Sequence, residues 1–158
     1  MKTNNEDIFL TYNGEIYNNI ELKKKFLNNS KIIWEGTSDT EVLLNLIDHF
    51  VKNKNLISNL LNELNGIFSF ASWNKKNSEF ILARDAFGVK PLYYSNLENG
   101  FYFASEIKAL LPLILDSDKE NLLKDKRDIE ILDLNSINRY LTYLWCPGKG
   151  TPLKFIKK

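Results

Sequence analysis

Histidine, cysteine and methionine are almost missing from this sequence: each occurs once, as His49, Cys146 and Met1. A lone cysteine excludes any disulfide within the chain and fits a reducing compartment. With one histidine beside it, metal centres of the His-rich or Cys-rich kind are excluded, so no metal site is expected. Surplus charge is missing too. The 21 Lys and Arg are matched by 20 Asp and Glu, which removes a general pull toward nucleic acid or an anionic membrane. The lysines are scattered and form no basic stripe, so nucleic acid is not an expected partner. No apolar run approaches the roughly 20 residues that span a bilayer. The opening Met1 to Asp7 holds no signal-peptide core. A soluble, cytoplasmic protein without a membrane partner is expected.

What is present suits a folded core. The chain has 158 residues, 44% hydrophobic and 13% aromatic, enough for a domain with a buried interior. Ile8 to Tyr12 is a short β-type run that should end at Asn13-Gly14. Asn18 and Glu21 have capping-box spacing and open a helix to about Phe26. Lys31 to Trp34 is a second short strand candidate. Ser38 and Glu41 repeat the capping spacing. Val42, Leu43, Leu46, Ile47 and Phe50 then share one helical face. A helix over about Leu56 to Leu64 should stop at Asn65-Gly66 through a left-handed glycine.

From Ile67 the period changes to two. Ile67 to Trp73, Phe80 to Ala83, Pro91 to Ser95 and Gly100 to Ala104 are strands at hairpin spacing, which predicts one antiparallel sheet over residues 67 to 105. Glu106 to Leu111 begins a helix, residues 116 to 133 are a charged loop, and Ile137 to Leu144 is a last helix. Cys146 to Pro152 is a turn-rich exit with linker character. The fold class is α+β. The Ile8 strand has no sequence partner upstream, so its edge should be exposed and the chain prone to self-association.

Five segments in order resemble the asparagine synthetases that hydrolyse glutamine. They are Asn13-Gly14-Glu15-Ile16-Tyr17-Asn18, Ser38-Asp39-Thr40-Glu41-Val42-Leu43-Leu44, Leu64 to Ala71, Arg84 to Tyr94, and Phe103 to Leu111. The resemblance implies a class II glutamine amidotransferase domain, an N-terminal-nucleophile hydrolase with two stacked antiparallel sheets between helix layers (αββα). It divides the chain into an amidotransferase part at 1–112, a charged loop or insertion at 113–135, and a helix with linker at 136–158 leading toward a synthetase domain. Such enzymes begin with a cysteine whose thiol attacks the glutamine amide. Here no N-terminal cysteine, no upstream strand carrying an arginine, and no Ser-Gly-Gly-Leu-Asp-Ser type loop is found. The expectation is a fragment missing its first strands and inactive alone. Its partners would be glutamine and an absent synthetase domain, or a separate chain carrying the missing segments, with a homodimer for the full-length protein. No cofactor is expected on this part; ATP and Mg would serve the synthetase domain.

The resemblance assigns Asn13 and Gly14 to the oxyanion hole and Asn13, Glu15 and Asp39 to glutamine. Each has a plainer reading. Asn13-Gly14 is also the strongest short turn signal; with the five-segment match, the oxyanion reading is preferred, since a side-chain amide and a glycine N–H can both donate to a developing charge. Asp39 suits a first helical turn through the helix dipole, and both roles can hold together. Glu15 would also suit solvent. Arg84-Asp85 reads as an ion pair near a turn, with Gly88 and Pro91 shaping the chain after it. Glu106 and Lys108 read either as a surface pair or as a face toward the synthetase domain. Cys146 reads as a small buried hydrophobe; only His49 could serve it as a base. The alternative function is a non-catalytic module that keeps the pocket to bind glutamine or a partner.

Overall fold

The structure, a computed structural model, describes residues 1–3, 5–28, 31–54, 56–117 and 131–158. Most of the charged loop expected at 116 to 133 thus lies outside the described residues. Two compact units divide the chain, Met1–Lys90 and Pro91–Lys158.

In the first unit, β1 (Ile8–Ile16) pairs antiparallel with β2 (Gly66–Asn74), and β2 with β3 (Glu79–Arg84). Asn13-Gly14 does not end β1. The strand runs through it in a ladder of nine residue pairs, with Gly14 opposite Phe68. Glycine is required there by packing. A Cβ at Gly14 would collide with the Ile67 carbonyl oxygen and stand 2.6 Å from Phe68 Cα, and φ is +154°. Gly66 has the same cause. It does not cap a helix in the left-handed conformation; it opens β2 opposite Ile16, where a Cβ would collide with the Glu15 carbonyl oxygen.

The outer edge of β1 is partly covered. Leu10 N–H donates to Met1 O at 2.8 Å and Thr3 N–H to Ile8 O at 3.0 Å. The expected exposed edge is therefore closed at Ile8 to Leu10. Beyond Leu10, β1 has no strand neighbour on that side among the described residues.

Helices α1 (Asn19–Phe26), α2 (Asp39–Lys52) and α3 (Ile57–Glu63) complete the unit. The predicted face of α2 is buried: Val42, Leu43, Leu46, Ile47 and Phe50 join Ile8, Leu10, Ile16, Phe68 and Phe70 in one core. Ser38 caps α2 as expected, its Oγ accepting from Glu41 N–H at 3.2 Å. Glu41 does not return the bond to Ser38. Its buried carboxylate takes the N–H groups of Glu35 and Gly36 at 2.7 and 3.0 Å and pins the loop before the helix. Asn18 sits at the α1 cap position but its side chain works elsewhere: it donates to Glu63 O at 2.9 Å and accepts from Asn65 N–H at 3.0 Å.

Lys31 to Trp34 forms no strand. Ile32 and Trp34 pack toward the core, Lys23 Nζ lies 3.4 Å from the Trp34 ring centre, and no neighbouring strand offers a ladder.

Arg84-Asp85 is not an ion pair among the described residues. Asp85 instead accepts the N–H groups of Phe68, Phe87, Val89 and Lys90 at 3.0–3.3 Å. Burial alone pushes its carboxyl up, but these donors together outweigh burial and hold it below the ordinary value. This turn diverts the chain after β3, so residues 67 to 105 form two sheets and not one.

The second unit is built on the hairpin β4 (Tyr93–Leu97) and β5 (Gly100–Ala104) with α4 (Ile107–Ser117) and α5 (Leu134–Tyr143). The turn-rich exit is tied down by Asp133 N–H, which donates to Pro152 O at 2.9 Å, and by the Thr151 hydroxyl, which donates to Ile156 O at 2.9 Å. Lys157 and Tyr94 exchange backbone hydrogen bonds at 2.8 and 2.9 Å, Ser95 donates to Phe155 O, and Ile156 is fully buried with Leu110. Glu106 and Lys108 form an exposed ion pair at 2.7 Å. Among the described residues no helix is long and apolar enough to cross a membrane.

Candidate functional site

Strand parity places the site. Successive residues of a strand point their side chains, and their N–H groups, to opposite sides. Leu10 N–H goes to Met1 O and Ile16 N–H to Asp39 Oδ2 at 2.9 Å, both away from β2. Gly14 lies between them at even spacing, so its N–H also points off the outer edge. Asn13 and Glu15, at odd positions, project from the other face of the sheet, and both are exposed. Their side chains make no hydrogen bond among the described residues.

Asp39 is brought to β1 from the first turn of α2. Its Oδ2 accepts from Tyr12 Oη–H at 2.7 Å as well as from Ile16 N–H. These two residues bracket Asn13-Gly14-Glu15 in the strand. The carboxylate and the Asn-Gly pair are therefore fixed to one another through a single strand and two hydrogen bonds. Asp39 Oδ1 takes no protein donor among the described residues.

Tyr12 was not singled out by the sequence. Its signal is parity: it occupies the core-facing series of β1, where a phenol needs a buried partner. Burial raises its hydroxyl far above the ordinary range, and the Asp39 hydrogen bond, the Asp39 charge and the Glu15 charge add to this. The phenol therefore stays protonated as a donor.

Cys146 belongs to the second unit. It is buried there, and its thiol donates to Ser136 O at 3.3 Å. The one histidine, His49, belongs to the first unit and packs against the rings of Phe26 and Phe50. Among the described residues no group of three His, Cys, Asp or Glu could hold a metal ion. The clefts of the first unit around Asp48 and Lys52 are lined by none of the four predicted residues.

The sequence profile of the glutamine amidotransferase domain matches residues 1–112. Among curated proteins, asparagine synthetase (glutamine-hydrolysing) 1 of Bacillus subtilis strain 168 is 35% identical over 153 residues, covering 97% of this chain and 21% of its own length. Asparagine synthetase (glutamine-hydrolysing) 3 of the same strain is 42% identical over 102 residues, covering 65% of this chain and 16% of its own length. The chain thus spans about a fifth of the length of the curated relatives it matches. Among solved structures, the glutamine phosphoribosylpyrophosphate amidotransferase of B. subtilis, solved with ADP and GMP, aligns with a TM-score of 0.54 and 29% identity. That alignment covers 70% of this chain and 24% of the other.

Proposed function

The chain belongs to the glutamine amidotransferase domain family, and from that premise we propose that it holds glutamine for release of the side-chain ammonia. In this reading Asp39 receives the α-ammonium group of glutamine. The Asn13 amide and the Gly14 N–H donate to the oxyanion formed when the side-chain amide is attacked. Glu15 belongs to the same glutamine set. One observation supports it above the others: Tyr12 and Ile16 tie the Asp39 carboxylate to the strand that carries Asn13-Gly14.

In this reading the attacking thiol is not Cys146, which is buried in its own unit and donates to the Ser136 carbonyl. The nucleophile in this reading is a cysteine outside these residues, whose thiol and α-amino group act together. The ammonia serves an ATP- and magnesium-dependent amidation of aspartate in a synthetase domain or partner chain. The amidotransferase part extends over 1–112, with 136–158 leading toward that domain, and the protein works in the cytoplasm.

The test is ammonia release from glutamine. The chain alone should release none, and Cys146→Ser should change nothing. Supplying a cysteine-initiated complementing segment should start the reaction. In that complex Asn13→Ala should lower the rate by about 10²–10³. Turnover by the chain alone that Cys146→Ser abolishes would overturn the assignment. Glutamine binding that no complementing segment converts into ammonia release would favour a non-catalytic glutamine-binding module.

A further inference from the structure

Resting on the glutamine site proposed above, we infer that Tyr12 is a positioning residue that sets both the orientation of Asp39 and the distance between the two poles of the substrate. Tyr12 Oη–H and Ile16 N–H converge on one oxygen, Oδ2, at 2.7 and 2.9 Å. Two donors on one oxygen stop the carboxylate from rotating and leave Oδ1 for a ligand cation. A carboxylate held by charge-assisted hydrogen bonds is an oriented acceptor.

Tyr12 is also the residue directly before Asn13. Among the described residues its hydroxyl makes the side-chain hydrogen bond between β1, which carries the donors for the amide pole, and the first turn of α2, which carries the acceptor for the ammonium pole. Without that link Ile16 N–H alone holds the carboxylate, at a single point about which it can swing. In glutamine the side-chain amide and the α-carbon are separated by two methylene groups. A fixed span between strand and helix therefore selects an α-amino acid amide of that length. The phenol takes no part in bond making, since its hydroxyl is given to the Asp39 carboxylate.

The role separates from a packing role by ligand chemistry. The ring of Tyr12 packs against the core, and Tyr12→Phe keeps the ring while removing the hydroxyl. Calorimetric titration of the parent chain, Tyr12→Phe and Asp39→Asn would use two ligands: L-glutamine, and glutaramate, which has the same skeleton without the α-amino group. Tyr12→Phe should weaken glutamine binding about tenfold or more, the size expected for a hydrogen bond to a charged group, and leave glutaramate within about twofold. Asp39→Asn should do the same more strongly.

If Asp39→Asn weakens glutamine selectively while Tyr12→Phe changes neither ligand, or both equally, the positioning role is overturned and the glutamine site stands. If Asp39→Asn leaves glutamine untouched or weakens both ligands alike, or the parent binds neither, the site itself is overturned and the role of Tyr12 with it. Should Tyr12→Phe fail to fold, the parent labelled at the tyrosine ring carbon that bears the hydroxyl decides. Glutamine should shift the Tyr12 resonance and glutaramate should not; equal shifts would overturn the role.

Discussion

A single methyl group is the sharpest probe of the β1–β2 contact. Gly14→Ala places a Cβ against Ile67 O and Phe68 Cα, neither of which can move without opening the ladder. A loss of about 1–3 kcal/mol is expected, read from the urea midpoint at unchanged slope. Gly36→Ala is the control: its Cβ would meet only Glu41 Oε2, at 3.7 Å, and should stay within about 0.5 kcal/mol of the parent. Both Asn-Gly pairs look like punctuation in the sequence; Asn13-Gly14 is not, and Asn65-Gly66 marks the step from α3 to β2 without a left-handed glycine. Local statistics count how often a dipeptide turns. The need for glycine at 14 and 66 arises from the opposing strand, which is distant in the chain. Asn18 occupies a cap position without capping for the same reason, since its partners Glu63 and Asn65 are remote. The place of Asp39 in the first turn of α2 was legible, because the capping serine and the amphipathic helix stand beside it in sequence. Its tie to Tyr12 was not, because a phenol does not announce its acceptor.

Helix α2 was legible in nearly every respect. Its cap and its apolar face are both written within one stretch of chain, and the face is where the period places it. Leu46 has no solvent exposure and lies in the core shared by β1 and β2. Leu46→Ala should cost roughly 2–5 kcal/mol in thermal or denaturant unfolding. An effect under about 0.5 kcal/mol, the level of a surface change, would contradict the packing. Lys31 to Trp34 shows the opposite case. Its β-type composition has a different cause, the packing of Ile32 and Trp34 on the core. A strand exists only where a partner supplies the other half of each hydrogen bond, and composition cannot say whether one does.

Across the chain, one continuous sheet over 67 to 105 was expected, yet each unit carries its own sheet and its own core. The chain leaving the first sheet is held by one carboxylate, Asp85, whose four donors are backbone N–H groups that no residue pattern displays. A second aspartate acts in the other unit. Asp133 caps α5, accepting from Asn135 and Ser136 N–H and from the Ser136 hydroxyl. The Ser136 donors hold its carboxyl below the ordinary value, against a smaller push from burial. Both groups are thus more acidic in the fold than in the unfolded chain, where the ordinary value is about 3.8. Their stabilisation is fully present above that value and is lost as the pH falls through the depressed values. Amide exchange at Phe87, Val89, Lys90 and Ser136 should therefore stay protected down to the ordinary carboxylate range and loosen below it. Asp85→Asn should flatten this acid response at Phe87 to Lys90 while leaving that of Ser136 in place.

The outward N–H of Gly14 leads to one more consequence. The same group that suits an oxyanion is an ordinary ladder donor to any extended peptide laid along β1 past Leu10. Such a peptide, or a second copy of this chain adding strand to strand, would occupy the donor and exclude the amide. On the proposed glutamine site, edge pairing and ammonia release compete for one backbone group, so raising the concentration of the chain should lower the rate.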